Sequence, residues 1–300
     1  MQSIARLSGI LAFLIFTLTG NCHGQFDSLG GPSFGASPKM LGMGGAFTGL
    51  AEGSGLIFSN PAGVKKVPQG FAETIFRLNA KDERFIAFSY LNPGSHDDFA
   101  GGLSVVLSKD STNAEKPVKH IAMMYTMGQT LPSSFRGRDL HWGINIKYHH
   151  QELQTIAGGI DHEFDLDVGL LTGINERTQI GLAGINMFQP SFSLGETSKP
   201  EPRIVILGVA HRLNPGLLAT FDIWDIEDHT ADLTHGSGLT ARLGLEQMIT
   251  EKLAIRGGLL DGRLTLGFGY KSGNKVRFEY GFADLKNAAD IHMASMRLAF

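Results

Sequence analysis

His149, His150, Asp161 and His162 flank one loop. Imidazoles beside a carboxylate are the residue types that act as general bases or capture metal ions. The chain carries eleven histidines, so chance proximity explains the grouping better than a designed centre. His162-Glu163 opens like a zinc-protease helix, but Leu166 stands where the second histidine is required. Gly42-Met43-Gly44-Gly45-Ala46-Phe47 has the glycine content of a phosphate cradle. Phe47, however, fills the third glycine position and no strand precedes the stretch. No catalytic residue is assigned, and neither a metal nor a cofactor is expected.

The elements that would carry any site are strands. In Arg263 to Tyr270 the even positions are large and apolar while the odd ones are charged or small, and Lys275 to Phe282 keeps the same parity. Successive side chains on a strand point to opposite faces, so each segment is greasy on one side only. Polar turn clusters recur along the chain, among them Lys81-Asp82-Glu83, Lys109 to Lys116, Pro132 to Asp139, Gln189 to Pro202 and Glu227 to Gly236. Between the clusters lie segments of about 8–12 residues, the length that crosses a membrane when tilted. From Gly70 onward they number about fourteen, an even count as bacterial barrels require.

The N-terminus indicates export. Arg6 precedes an apolar run of nine residues, Ile10 to Leu18, followed by Thr19, Gly20 and Asn21. Nine residues are too few for a helix to span a bilayer, which takes about 20. Residues 1–24 therefore read as a signal peptide cleaved after Gly24. Cys22, the single cysteine, raises lipid attachment as a rival, although Asn21 is a poor fit before such a site. A mature chain without cysteine has no disulfide framework. The net charge of -3 offers no basic footprint for nucleic acid. No later apolar run approaches the length of a membrane helix, yet barrels escape such scans because their two faces average out.

Arginine facing lipid at mid-membrane costs roughly 2–4 kcal/mol, which fixes the faces. Arg242, Arg256, Arg263 and Arg277 must face the lumen, with Glu246 and Glu279 on the same parity. Trp142, Ile144, Ile146 and Tyr148 then face lipid, as do Phe164, Leu166, Val168 and Leu170. Ile204 to Ala210 is apolar on both faces, as expected where a second surface covers the inside. Balanced lumen charge suits internal salt bridges around a plug better than an ion-selective pore. Ala294, Met296, Leu298 and Phe300 share a face, and a terminal aromatic is the kind of signal that barrel assembly machinery reads.

Residues 25–68 do not alternate. They contain Leu41-Gly42-Met43-Gly44-Gly45-Ala46-Phe47 and then Phe58-Ser59-Asn60-Pro61-Ala62-Gly63. Both stretches, with the later Leu253 to Gly258 and Gly262 to Tyr270, resemble the long-chain fatty-acid transporter family (FadL-like barrels) and its shorter PorV/PorQ-type relatives. The resemblance implies an all-β, antiparallel transmembrane barrel at residues 69–300 in a bacterial outer membrane, with a plug or hatch at 25–68. It further implies passive uptake of small hydrophobic, fatty-acid-like molecules past a pocket beside Phe47, Leu56, Ile57 and Phe58. Gly44, Gly45, Asn60, Pro61 and Ala62 would shape the hatch. Glycines let a backbone turn where a Cβ would clash, and Pro61 pushes Asn60 into an extended conformation. The connections are shorter than in the fatty-acid transporters, and Glu52-Gly53 stands where paired acidic residues are frequent. The alternative is a secretion or surface-attachment accessory of the PorV/PorQ kind. Expected partners are outer-membrane lipid, the barrel assembly machinery, and either a hydrophobic small molecule or secretion-system proteins.

Overall fold

The alternating segments close on themselves. A computed structural model describes residues 37–79, 84–94, 99–110, 117–154, 159–194, 197–227, 239–284 and 290–300. The expected signal peptide, Cys22 and the first part of the expected plug lie outside the described residues. Fourteen strands form one closed antiparallel barrel. In chain order these are β1 (Phe71–Asn79), β2 (Arg84–Asn92), β3 (Ala100–Asp110), β4 (Val118–Phe135), β5 (Arg138–Leu153), β6 (Gly159–Gly173) and β7 (Thr178–Ile185). After a separate hairpin, β8 (Ser191–Leu194) and β9 (Thr197–Pro200), come β10 (Ile204–Asn214), β11 (Leu217–Trp224), β12 (Thr240–Met248), β13 (Leu253–Leu260), β14 (Arg263–Ser272), β15 (Val276–Ala283) and β16 (Ile291–Ala299). β1 pairs with β16 from Phe71↔Ala299 to Asn79↔Ile291, which closes the seam.

The faces follow the parity read from the sequence. Phe164 is 64% exposed and Leu103 59%, whereas Arg256 and Glu279 are 4% and 3% exposed on the inner side. Apolar outside and charged inside is the inverse of a soluble protein, and it suits a wall surrounded by hydrocarbon.

Two expected boundaries move. Pro132 to Asp139 is mostly strand, because β4 and β5 run on into a long hairpin closed by Arg136 and Gly137, whose φ angles are 51° and 75°. The register shifts between Leu131 and Phe135, where proline cannot donate to the ladder. The stretch after Gln151 was expected as loop, yet β5 continues to Leu153 and β6 begins at Gly159. Pairing with the neighbouring strand outweighs the polar composition that suggested loops. These strands of 15 to 18 residues exceed the 8–12 expected.

Most connections at one end are tight, as at Arg136-Gly137 and Pro215-Gly216, while the longest, 186–203 and 225–239, lie at the other. The chain enters β1 and leaves β16 at the tight-turn end.

Residues 37–67 pack against the inner wall in short helices: α1 (Pro38–Gly42), α2 (Gly55–Ser59) and a 3₁₀ helix, Pro61–Lys66. Ser37 caps α1, its hydroxyl accepting the Met40 N–H. The core lies between this segment and the wall. On one side Leu41, Leu56 and Val64 meet Ile75, Leu91 and Met293, and on the other Met40, Met43, Phe47 and Leu50 meet Ile206, Ala210 and Trp224. Ile204, Ile206 and Ala210 thereby bury the inward apolar face of β10, the strand whose two greasy faces implied a covering surface.

The wall makes room for the segment with glycines on its inner face. Gly128, Gly143 and Gly169 are cross-strand neighbours on β4, β5 and β6, Gly181 pairs with Gly208, Gly244 with Gly258, and Gly267 with Gly281. A Cβ on Gly143 would strike the Pro61 carbonyl, one on Gly258 the Gly44 amide, and one on Gly281 the Pro38 carbonyl. Backbone approaches backbone directly along this belt, which only glycine permits.

Candidate functional site

Asn60 is the pivot of the inner segment. Its φ of -156° and ψ of 102° are extended, as the following proline requires, and it caps the 3₁₀ helix by accepting the Ala62 N–H at 3.1 Å. Its amide donates to the Thr48 carbonyl and to the Leu170 carbonyl of β6, both at 3.0 Å. One buried side chain thus ties two parts of the segment to the wall. From β5, Asn145 donates to the Ile57 carbonyl at 2.6 Å. On the opposite wall Asp222 of β11 accepts the Phe47 and Thr48 N–H groups at 2.9 and 2.8 Å.

Gly44 and Gly45 hold φ of 64° and 71°, so the chain reverses against β12 and β13 in a conformation that other residues resist. A Cβ on Gly44 would also strike the Leu243 carbonyl of the wall.

The inward charges form a connected set. Lys39 of α1 bridges Glu52 at 2.8 Å and Glu246 at 3.1 Å. Glu246 meets Arg256 at 2.7 Å, Arg256 meets Glu279 at 2.5 Å, and Glu279 also pairs with Arg277. Cations and anions alternate along this chain, so each buried charge has an opposite neighbour. Burial would raise the Glu52 carboxyl, but the Lys39 ammonium overrides it and holds the group below its ordinary 4.5. Arg242 pairs with Asp261 at 3.2 Å and lies 3.5 Å over the Trp224 ring. Arg263 shares the inward parity of Thr265 but stands nearer the strand end.

Two spaces lie on either side of the segment. Towards the long-loop end, a cavity of about 60 Å³ is bordered by Ile57, Phe58, Phe85, Val106, Ala122, Met124 and Ile185, with His120, Lys147, His149, Asp167 and Asn186 among them. Pro190 and Glu201, from the connection carrying the β8–β9 hairpin, complete it. At the tight-turn end, a vestibule of about 500 Å³ is bordered by Leu50 to Gly53, Gly63, Lys66, Lys271, Lys275, Arg277 and Arg297. Residues 50–63 therefore separate an apolar cavity from a basic vestibule.

Of the residues expected beside a greasy pocket, Ile57 and Phe58 border the cavity and Phe47 and Leu56 do not. Phe47 is fully buried with Met40 and Ile206, and Leu56 in the other core cluster. Sequence reasoning missed Phe85, Val106, His120, Met124 and Ile185. Their signal was present: β2 carries apolar residues on both parities, Phe85, Ala87 and Leu91 inward against Ile86, Phe88 and Tyr90 outward. Balanced inward charge implied internal salt bridges, and β5 and β6 supply a buried one. Lys147 bridges Asp165 and Asp167, each at 2.6 Å, and donates to the Asn186 side-chain oxygen at 2.6 Å.

The histidine grouping is split by the wall. His149 is buried on the inner face, while His150 and His162 meet on the outer one at 3.2 Å, as strand alternation dictates. Among the described residues, no cluster of three or more His, Cys, Asp or Glu side chains is placed to hold a metal.

No family model and no curated protein matches the sequence. Solved structures do match in fold. The Ralstonia pickettii toluene transporter TbuX superposes with a TM-score of 0.62 at 12% identity, over 89% of this chain and 99% of that one. The P. putida toluene transporter TodX gives 0.58 at 13% identity over the same shares. A Pseudomonas aeruginosa FadL homologue gives 0.56 at 11% identity, over 92% and 99%. The fold is that of a FadL-like barrel.

Proposed function

We propose that this chain is an outer-membrane barrel for passive uptake of small hydrophobic, fatty-acid-like molecules, with the segment up to residue 68 as its hatch. The observation that carries the reading is the position of residues 50–63 between an apolar cavity and a basic vestibule. In outer-membrane barrels the short turns face the periplasm and the long loops the exterior. That orientation puts the cavity on the outside, the vestibule on the inside, and the hatch between them. The sequence's export signal agrees with it. A ligand enters the cavity beside Phe58, and displacement of the hatch from its glycine seat opens the way to the vestibule. The toluene transporters named above share the fold over nearly their full length, which supports uptake over the secretion-accessory alternative.

The test is a reversible lock. Glu52 of the hatch and Arg277 of the wall border the same vestibule. The pair Glu52→Cys and Arg277→Cys, bridged by a short bis-methanethiosulfonate that forms a disulfide with each thiol and releases sulfinate, should abolish uptake of radiolabelled toluene, 4-methylphenol and oleate wherever the unbridged protein supports it. Reduction should restore it. Uptake of all three unchanged by both gene deletion and bridging would sink the reading.

A further inference from the structure

A purely hydrocarbon-binding cavity has no use for a buried hydrogen-bonding nitrogen, and this cavity holds one. His120 of β4 borders it and is 3% exposed. Its Nε2 lies 3.1 Å from His149 Nδ1, and the two rings stack at 5.3 Å. Its Nδ1 is buried and has no hydrogen-bond partner among the described residues. Such an atom costs about 1–3 kcal/mol to leave unpaired.

We propose that the cavity takes an uncharged hydrophobic molecule bearing a hydroxyl group, with the hydroxyl on His120 Nδ1 and the apolar body against Phe58, Phe85, Val106 and Met124. This names the ligand class for the uptake proposed above and rests on that reading.

Three features select the class. Two neutral imidazoles joined by one hydrogen bond leave His120 Nδ1 either a bare acceptor or an N–H donor, depending on which ring donates. A hydroxyl satisfies both tautomers, because it donates and accepts. A carbonyl or a carboxylate fits only one of them. Charge excludes the carboxylate further, since Lys147, the cation bordering the cavity, is already shared by Asp165, Asp167 and Asn186, and the triad is net negative. Size favours a small ligand. About 60 Å³ is far below the roughly 300 Å³ of a drug-sized site. Met124, an unbranched and adaptable side chain, is placed to yield for a single ring.

The test compares two probes of one shape, 4-methylphenol and 1,4-dimethylbenzene, binding to the full chain in lipid nanodiscs. Saturation-transfer NMR with empty nanodiscs as the blank gives each Kd. The phenol should bind about tenfold tighter, the value of one good hydrogen bond. In the variant His120→Phe with His149→Phe, which keeps a stacked pair, the ratio should fall to about one while the hydrocarbon Kd holds. Heat-modifiable gel migration verifies that the variant is folded. Equal binding of the two probes to the native chain, or a preference that survives in the variant, would overturn this proposal and leave hydrophobic uptake standing. Binding of neither probe above the blank would remove both.

Discussion

Lys147 shows what single residues contribute here. Its ammonium, on β5, is surrounded by two carboxylates and an amide drawn from β6 and the connection after β7. The carboxylates are committed elsewhere as well, Asp165 accepting the Phe188 N–H at 3.1 Å and Asp167 the Asn186 N–H at 3.0 Å. The lysine therefore offsets the charge of acids that fix the start of a long connection. Lys147→Met leaves two buried anions without a cation, and breaking a buried pair from one side costs about 3–5 kcal/mol. The expected outcome is a lower urea midpoint for the refolded barrel. Adding Asp165→Asn and Asp167→Asn, which keep acceptors for the two N–H groups, should recover most of the loss. If the single variant unfolds at the native midpoint, the triad has no structural weight.

At the scale of elements, the seat between the inner segment and the wall decides how closely the two pack. Wall glycines on β5 to β7, β10, β12, β13 and β15 would each strike the inner segment if they carried a Cβ, so the segment's chain lies directly on them. Gly169→Val would place a side chain against the Asn60 amide oxygen and the Pro61 ring at the pivot. The barrel strands keep their pairing in this variant, so it should still assemble. The displaced segment should admit large antibiotics that the native outer membrane excludes, read as increased susceptibility. Gly137→Ala is the matched control. It meets nothing within 4 Å but keeps a φ of 75°, so it should cost about 1–2 kcal/mol of turn strain and leave permeability unchanged. Equal susceptibility in the two variants would show that the glycine belt does not seat the inner segment.

Across the whole molecule, closure depends on the pairing of the first strand with the last. Phe300 follows β16, donates its N–H to the Gly70 carbonyl at 3.1 Å, and stacks on Tyr90 with ring centroids 5.7 Å apart. The stack itself is worth about 0.5–1.5 kcal/mol. Phe300→Ala should accordingly shift the in vitro urea midpoint only slightly. If the terminal aromatic is also the signal read during assembly, the amount of folded barrel in the outer membrane should drop several-fold. A loss in the cell matched by an equally large loss in vitro would assign Phe300 to stability alone.

Strand alternation and the cost of a lipid-facing arginine let the sequence determine the barrel, a count of about fourteen strands, and the inward placement of Arg242, Arg256, Glu246 and Glu279. Both are local properties: the parity of a strand is set residue by residue. The extended Asn60 was legible for the same reason, since the next residue imposes it. The level at which glycines on separate strands align depends on register and stagger around a closed sheet, which no single strand encodes. The same holds for the cavity. Phe85, Val106, His120 and Ile185 stand on four different strands, and only strand pairing and the curvature of the wall bring them around Phe58. Phe47 and Leu56 are as apolar as Ile57 and Phe58, and only the packed positions of the short helices decide which of them face free space.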